Sequence, residues 1–174
     1  QSFAREAIWE MGALELMKGY GSKRFGLNDR LSVEQALAVA YIAAGREAEA
    51  QAAAETLDLA RAQDARITNA RRMWSDGYIQ LALNDGLISF AQYTDALQAD
   101  QAALGEDSFR RQAPITREDM AYYLAEILNV EPVYPQTRMF NSFVDWETAS
   151  PVRIPAIEAL LQNRMMNGDD NGRF

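Results

Sequence analysis

The stretch Ala7–Gly19, AIWEMGALELMKG, returns at Ala156–Gly168 as AIEALLQNRMMNG. At a constant offset of 149 residues the copies share Ala, Ile, Met and Gly, and the match continues without gaps to Arg173 and Phe174. In both copies apolar residues recur three or four positions apart, a spacing that predicts amphipathic helices. Each copy therefore predicts a helix, a turn containing glycine, and a loop that ends near an aromatic residue.

A third copy lies between these two, at an offset of 71 from the first, where Ile8 aligns with Ile79. The first copy continues into Leu31–Gln35 (LSVEQ) and the middle copy into Ile115–Asp119 (ITRED), and both stretches read as the capped start of a second helix. A helix pair of this size cannot bury its apolar face alone, so the copies are expected to pack on one another.

Composition excludes several classes of protein. The chain has 174 residues, of which 48 % are hydrophobic, and it lacks an apolar run long enough for a membrane span. Cysteine and histidine are absent, which excludes disulfides, the usual zinc sites and histidine-based triads. The net charge of −8 disfavours nucleic-acid binding. We expect an all-α protein without an enzyme active site, cofactor or metal; since no basic apolar leader opens the sequence, any secretion signal is expected to be already removed or never present.

The repeats divide the chain into expected units. These are a first repeat at 1–46, a connecting helical segment at 47–72, a second repeat with an insertion at 73–130, a linker at 131–142 and a truncated third repeat at 143–174. Within these units the pattern predicts seven helices, at Phe3–Met17, Ser32–Ala44, Glu47–Ala65, Arg66–Asp85, Phe90–Leu104, Asp119–Leu128 and Pro155–Met166. The helix at Glu47–Ala65 is expected to be an exposed connecting helix.

Three stretches resemble the S-layer homology (SLH) family: Ile115–Asp119, Phe143–Asp145 and Met166–Phe174. The resemblance implies three helical repeats in a pseudo-three-fold arrangement, the third of them incomplete here. It also implies that grooves between repeats bind a pyruvylated secondary cell-wall polysaccharide, an acidic glycan, and so anchor a secreted protein non-covalently to the bacterial cell surface. Other surface-layer chains are further implied partners.

Two departures from the family pattern favour a second interpretation. Val33 stands where the family has arginine, and the third copy stops at Phe174 before a second helix. The same fold could then be an assembly module with degenerate glycan grooves. Its open copy would expose an apolar surface for a partner helix, formed by Ile157, Leu160, Leu161 and Met165. A helical-repeat adaptor ranks below both, because the chain lacks that class's repeat of about 34 residues.

The expected ligand-binding residues are Thr116, Arg117 and Glu118, with Asp145, Trp146, Gly19 and Gly168. A cation in the first helical turn opposes the helix dipole by about 0.3–1 kcal/mol, and a bound carboxylate would reverse that effect. The alternative is a salt bridge from Arg117 to a nearby acid.

The other candidate residues also have structural interpretations. Trp74 and Trp146 could each stack on a sugar face or pack between repeats, and packing is favoured for Trp74. Asp145 could accept from sugar hydroxyls or cap a turn. Gly19 and Gly168 are expected in positive-φ turns, which also allow close ligand approach. Residues 167–174 fit the start of a calcium loop, but its twelfth position lies past Phe174.

Overall fold

The computed structural model describes residues 30–63, 73–89, 111–132 and 139–174, together with Trp9, Gly12 and Ala13. The described part is mostly helical, and its only β-type pairing is an isolated bridge between Ser32 and Pro114, so the all-α expectation is confirmed there. The elements in chain order are α1 (Val33–Ala43), α2 (Glu47–Gln63), α3 (Asp76–Asn84), α4 (Arg117–Leu128), the 3-10 turns Phe140–Ser142 and Trp146–Thr148, and α5 (Ile154–Gln162).

Polar caps begin α1 and α4 at the two motifs that predicted second helices. Ser32 accepts from the Gln35 N–H, and the Gln35 side chain accepts from the Ser32 N–H, which completes a capping box. Thr116 accepts from the Asp119 N–H at 3.1 Å, and the Thr116 hydroxyl donates to the Asp119 carboxylate, which does not reach back to the Thr116 backbone N–H. The predicted caps are therefore confirmed, the second as half a box.

Helix α4 joins two hydrophobic cores, because alternate positions along it face different neighbours. Tyr123 and Ile127 belong to a core shared with α1 and α3, whereas Ala121 and Ala125 belong to a core shared with α5 and Phe140. The loop ahead of α4 is also tied to the start of α1, since the Val33 N–H donates to Ala113 O and the Ile115 N–H to Leu31 O. Helix α4 therefore packs between the two cores, and the loop ahead of it is hydrogen-bonded to the start of α1.

Helix α2 differs from the exposed connecting helix that its composition suggested. A stripe three or four residues apart packs along α3, and Ala50 and Arg61 on it are buried. Gly77 permits this approach, because a Cβ there would lie 2.0 Å from the Ala50 carbonyl oxygen. Leu59 lies on the opposite, exposed side of the helix. Alanine contributes too little hydrophobicity for the sequence pattern to show a buried stripe.

Helices α3 and α5 match at an offset of 78 residues, the difference between the two sequence offsets. Both are nine residues long and bury an isoleucine completely, Ile79 and Ile157. Both end in the same hydrogen bond at 2.8 Å, from Leu87 N–H to Ala82 O and from Met165 N–H to Leu160 O. Ile8, the third expected equivalent, lies outside the described residues. Two of the copies therefore share one local structure.

Two expected helix boundaries are corrected. Within the described residues the helix expected at Arg66–Asp85 begins only at Asp76, and α5 ends at Gln162 because Arg164 takes a left-handed conformation with φ 56°. The helices expected at 3–17 and 90–104 lie largely or wholly outside the described residues.

The apolar side of α5 is covered by the chain itself. Phe140 is buried at the end of the segment expected as a linker, and Ile157, Leu160 and Leu161 are buried with it. Only Met165 of the expected exposed surface is open, at 44 %. The expectation of an open apolar face for a partner helix is therefore wrong, because the Phe140 turn and α4 supply the cover that the sequence did not reveal.

Candidate functional site

The first turn of α4 forms one wall of a cleft. Its cap places Thr116, Arg117 and Glu118 side by side, and the Glu118 Oε2 atom accepts from the Ser150 N–H at 2.8 Å. That bond ties the helix to the loop leading into α5. Three consecutive residues of the ITRED motif therefore line one cleft.

The opposite wall is built from Asp145 and Phe174. The Phe174 N–H donates to Asp145 Oδ1 at 3.0 Å, so the acid holds the aromatic residue in place. The Thr148 hydroxyl donates to the Asp145 carbonyl and closes the 3-10 turn beside it. The Asp145 side chain makes no capping hydrogen bond to this turn, so the turn-capping role expected for it is wrong. Its Oδ1 holds Phe174 instead, and its Oδ2 takes no hydrogen bond from a described residue.

The cleft between these walls has a volume of about 300 Å³. Its lining combines one cation, two carboxylates, hydroxyls and apolar rings or methyl groups, contributed by Thr116, Arg117, Glu118, Phe140, Asp145, Thr148, Ala149, Ile157 and Phe174. Such a mixture suits a polar ligand that also offers an apolar face.

Arg117 makes no ion pair with any described residue, contrary to the salt-bridge alternative. Its guanidinium donates to the Asn167 carbonyl oxygen at 2.6 Å, and its Cζ lies 5.2 Å from the ring centroid of Phe174. A carbonyl and an aromatic face leave the positive charge uncancelled. Since a guanidinium carries several N–H donors and this one uses a single donor within the described residues, the others remain for a ligand.

The remaining expected site residues are placed differently. Trp146 is 37 % exposed and does not line the cleft, and Gly19 lies outside the described residues. Gly168 does not have a positive φ, so that expectation is wrong. Glycine is needed at this position because there is no space for a side chain: a Cβ would lie 2.1 Å from the Phe143 ring. Trp74 is 60 % exposed and contacts Tyr78 edge-on, so it is a surface residue and not a core one.

The loop with calcium-like spacing is closed by its own hydrogen bonds. Asp169 Oδ1 accepts from the backbone N–H groups of Arg173 and Asn171, which hold the Asp169 pKa below its usual value. Within the described ranges the structure contains no group of three or more acidic side chains arranged to hold a metal ion.

The position at α1 that corresponds to the cleft is filled by charged side chains, a feature the sequence analysis missed. Glu34 matches Glu118 in its helix, and it accepts from Arg111 Nε at 3.2 Å and from the Ser75 hydroxyl. Arg111 also donates to Asp76, which Arg61 approaches from the other side at 2.8 Å. These residues are far apart in the sequence, and no motif connects them.

The charges of this buried cluster stabilise one another. Burial pushes the Asp76 pKa upward, but hydrogen bonds from the Met73 N–H, Arg61 and Arg111 outweigh burial and leave the pKa below its usual value. The cluster balances two guanidinium groups against Glu34 and Asp76. Among the described residues the two second-helix starts therefore differ: a buried cluster of paired charges adjoins α1, and a cleft whose cation has no carboxylate partner adjoins α4.

Comparison with protein-family models, with curated proteins and with solved structures found no match to this chain. Among the described helices, none is sufficiently long and apolar to cross a lipid bilayer.

Proposed function

We propose that the chain binds an acidic polysaccharide of the bacterial cell wall in the Arg117 cleft and so anchors a surface protein without a covalent link. The observation that carries this proposal is the guanidinium of Arg117, which lines a cleft and has no carboxylate partner among the described residues. A carboxylate ligand would gain charge-assisted hydrogen bonds there, and the first turn of α4 would favour it further.

The other groups of the cleft favour a sugar over a simple anion. Asp145 and Glu118 each use one carboxylate oxygen in a hydrogen bond to backbone, which leaves an acceptor for sugar hydroxyls. They also place two negative charges near one cation, which disfavours a densely anionic polymer. A neutral sugar ring with a single acidic substituent, such as a pyruvate ketal, meets both conditions.

The proposed architecture is a pseudo-three-fold array of SLH-like repeats with an incomplete third member. The shared structure of α3 and α5 supports a repeat, and the caps of α1 and α4 support the second helix of two copies. Under this proposal the protein is extracellular, at the cell wall or S-layer, and its function is binding without a chemical step.

The rival proposal is an assembly module for protein–protein contact, and its main argument was an exposed apolar surface on the third copy. The apolar residues that a partner helix would have covered are buried within the chain. The closed cluster beside α1 is instead consistent with one groove that has lost its binding role while the Arg117 cleft keeps it.

The proposal is tested by co-sedimentation with purified bacterial cell-wall sacculi, native and stripped of secondary polymer. The native protein is expected to sediment with native sacculi only, and Arg117→Ala should reduce retention at least about tenfold, the value of a charge-assisted hydrogen bond. Arg30→Ala is the matched control, since Arg30 is exposed, carries the same charge and does not line the cleft. Equal retention on both kinds of sacculi would refute the proposal.

A further inference from the structure

Residues 167–174 form a loop that is fixed at several points to the rest of the fold. Asp169 closes the loop through two backbone N–H groups, and the Val144 N–H donates to the Gly172 carbonyl at 2.8 Å. The Phe174 N–H donates to Asp145. These bonds hold the backbone of the loop against the segment that precedes α5.

The ring of Phe174 is fixed as well. Its centroid lies 5.5 Å from that of Phe140 and 5.9 Å from that of Phe143, both edge-on, and Phe140 is buried. Gly168 permits this packing, since the Phe143 ring occupies the space that a side chain would need. The ring is therefore a rigid surface at the edge of the cleft.

Within the described part of the chain, the two polar and cation–π partners of Arg117 both belong to this loop: the carbonyl oxygen of Asn167 at its start and the ring of Phe174. An exposed arginine otherwise samples many rotamers, and ordering it on binding would weaken affinity. Glu118 and Asp145 also line the cleft, so an unrestrained guanidinium would have two carboxylates within the same site to pair with.

We infer that Phe174 is a positioning residue for Arg117: its ring and the Asn167 carbonyl keep the guanidinium available to a ligand and away from the acids of the cleft. The inference rests on the proposed function for its ligand. It differs from that proposal in assigning affinity to the aromatic face at position 174 in addition to the charge at position 117.

The test compares Phe174→Leu with the native protein in two measurements. The first is the NMR shift of the Arg117 side-chain protons, which the Phe174 ring current displaces in the native protein and which should return towards ordinary values in the variant. The second is the affinity for a synthetic hexoside bearing a pyruvate ketal, expected to fall about fivefold, the effect of losing one partly exposed cation–π contact. Phe174→Tyr keeps the ring and should retain both properties.

Tyr122→Leu is the matched control, because Arg153 lies over that ring with 3.8 Å between Cζ and the centroid, outside the cleft. It removes an arginine–aromatic contact from the same core and should leave ligand affinity unchanged. All variants are compared at a temperature where circular dichroism shows them folded. The inference would be overturned if the Arg117 shifts in Phe174→Leu equalled those of the native protein. It would also be overturned if Phe174→Leu bound the hexoside as tightly as the native protein while Arg117→Ala bound it more weakly.

Failure of the proposed function gives a different pattern. If the native protein does not bind the ketal hexoside, the proposed function fails. The Arg117 shifts still decide whether Phe174 positions the guanidinium. Arg117 side-chain shifts that are displaced in the native protein and return to ordinary values in Phe174→Leu would then support the positioning role. Ordinary Arg117 shifts in the native protein would overturn it.

Discussion

Arg111 reaches Glu34 across 77 residues of sequence, with 3.2 Å between Nε and Oε2, and in doing so closes the position beside α1 that is an open cleft beside α4. Two helices that begin with the same kind of cap thus have different surroundings. At α1 the first-turn glutamate pairs with an arginine from a distant segment, whereas at α4 the arginine directly precedes the glutamate and lines the cleft.

Removing Arg111 should destabilise the fold strongly. Arg111→Met leaves Glu34 and Asp76 buried with less compensating charge, which should lower the free energy of unfolding by about 3 kcal/mol. Urea unfolding followed by circular dichroism measures this, with Arg30→Met as the exposed control. A loss below about 1 kcal/mol would show that the cluster is not a significant source of stability.

Acid should destabilise the protein through the same cluster. Because the folded pKa of Asp76 lies below its unfolded value of about 3.9, its contribution is complete above that pH and is lost as pH falls through the folded pKa. Asp85 adds to this effect in the same direction, since Arg46 lowers its pKa. Asp76→Asn should be less stable at pH 7 and lose less stability on acidification; an unchanged acid profile in urea titrations would contradict this.

The two helix caps provide a matched pair of variants. Ser32→Ala and Thr116→Ala each remove a side-chain acceptor from a helix N-terminus and should each lower stability by about 1 kcal/mol. Only Thr116 lines the cleft. Affinity for the cell-wall polymer should therefore fall in Thr116→Ala alone, and equal losses of affinity in both variants would point to a general effect of stability.

Gly168→Ala tests the packing of the loop at 167–174. The added methyl would meet the Phe143 ring at 2.1 Å and the Arg173 carbonyl at 2.8 Å, and overpacking of this kind lowers stability by about 1–3 kcal/mol. Because the loop carries Phe174, polysaccharide affinity should fall too. Gly45→Ala is the control for strain without overpacking, since that glycine has φ +72° with open space around it. Backbone strain should lower its stability too, but polysaccharide affinity should stay unchanged. If Gly168→Ala changed neither the melting temperature nor the polysaccharide affinity, the packing role of Gly168 would be disproved.

Local signals predicted the local structure. Ser32 and Thr116 marked their helix starts, because a short polar side chain three residues ahead of a matching partner satisfies the first N–H groups. The offset between Ile79 and Ile157 predicted two equivalent helices with the same buried position. Both signals act within a few residues or repeat at a constant spacing, so a single sequence reveals them.

Contacts between distant segments could not be predicted in this way. Nothing near Arg117 indicates that a carbonyl 50 residues away and the ring of Phe174 would be its partners instead of a carboxylate. The burial of Ile157 depends on Phe140, which stands at the end of a proline-containing segment that looked like a linker. The need for glycine at 168 comes from the Phe143 ring and not from its own backbone angles.

The most direct test of the central claim is an isothermal titration of the protein with purified cell-wall polysaccharide, before and after mild acid removes its ketal-linked carboxylates. The account predicts binding to the intact polymer, at least about tenfold weaker binding after removal of the carboxylates, and a similar loss for Arg117→Ala with the intact polymer. Equal affinity for both forms of the polymer, or an Arg117→Ala variant that binds like the native protein, would contradict it.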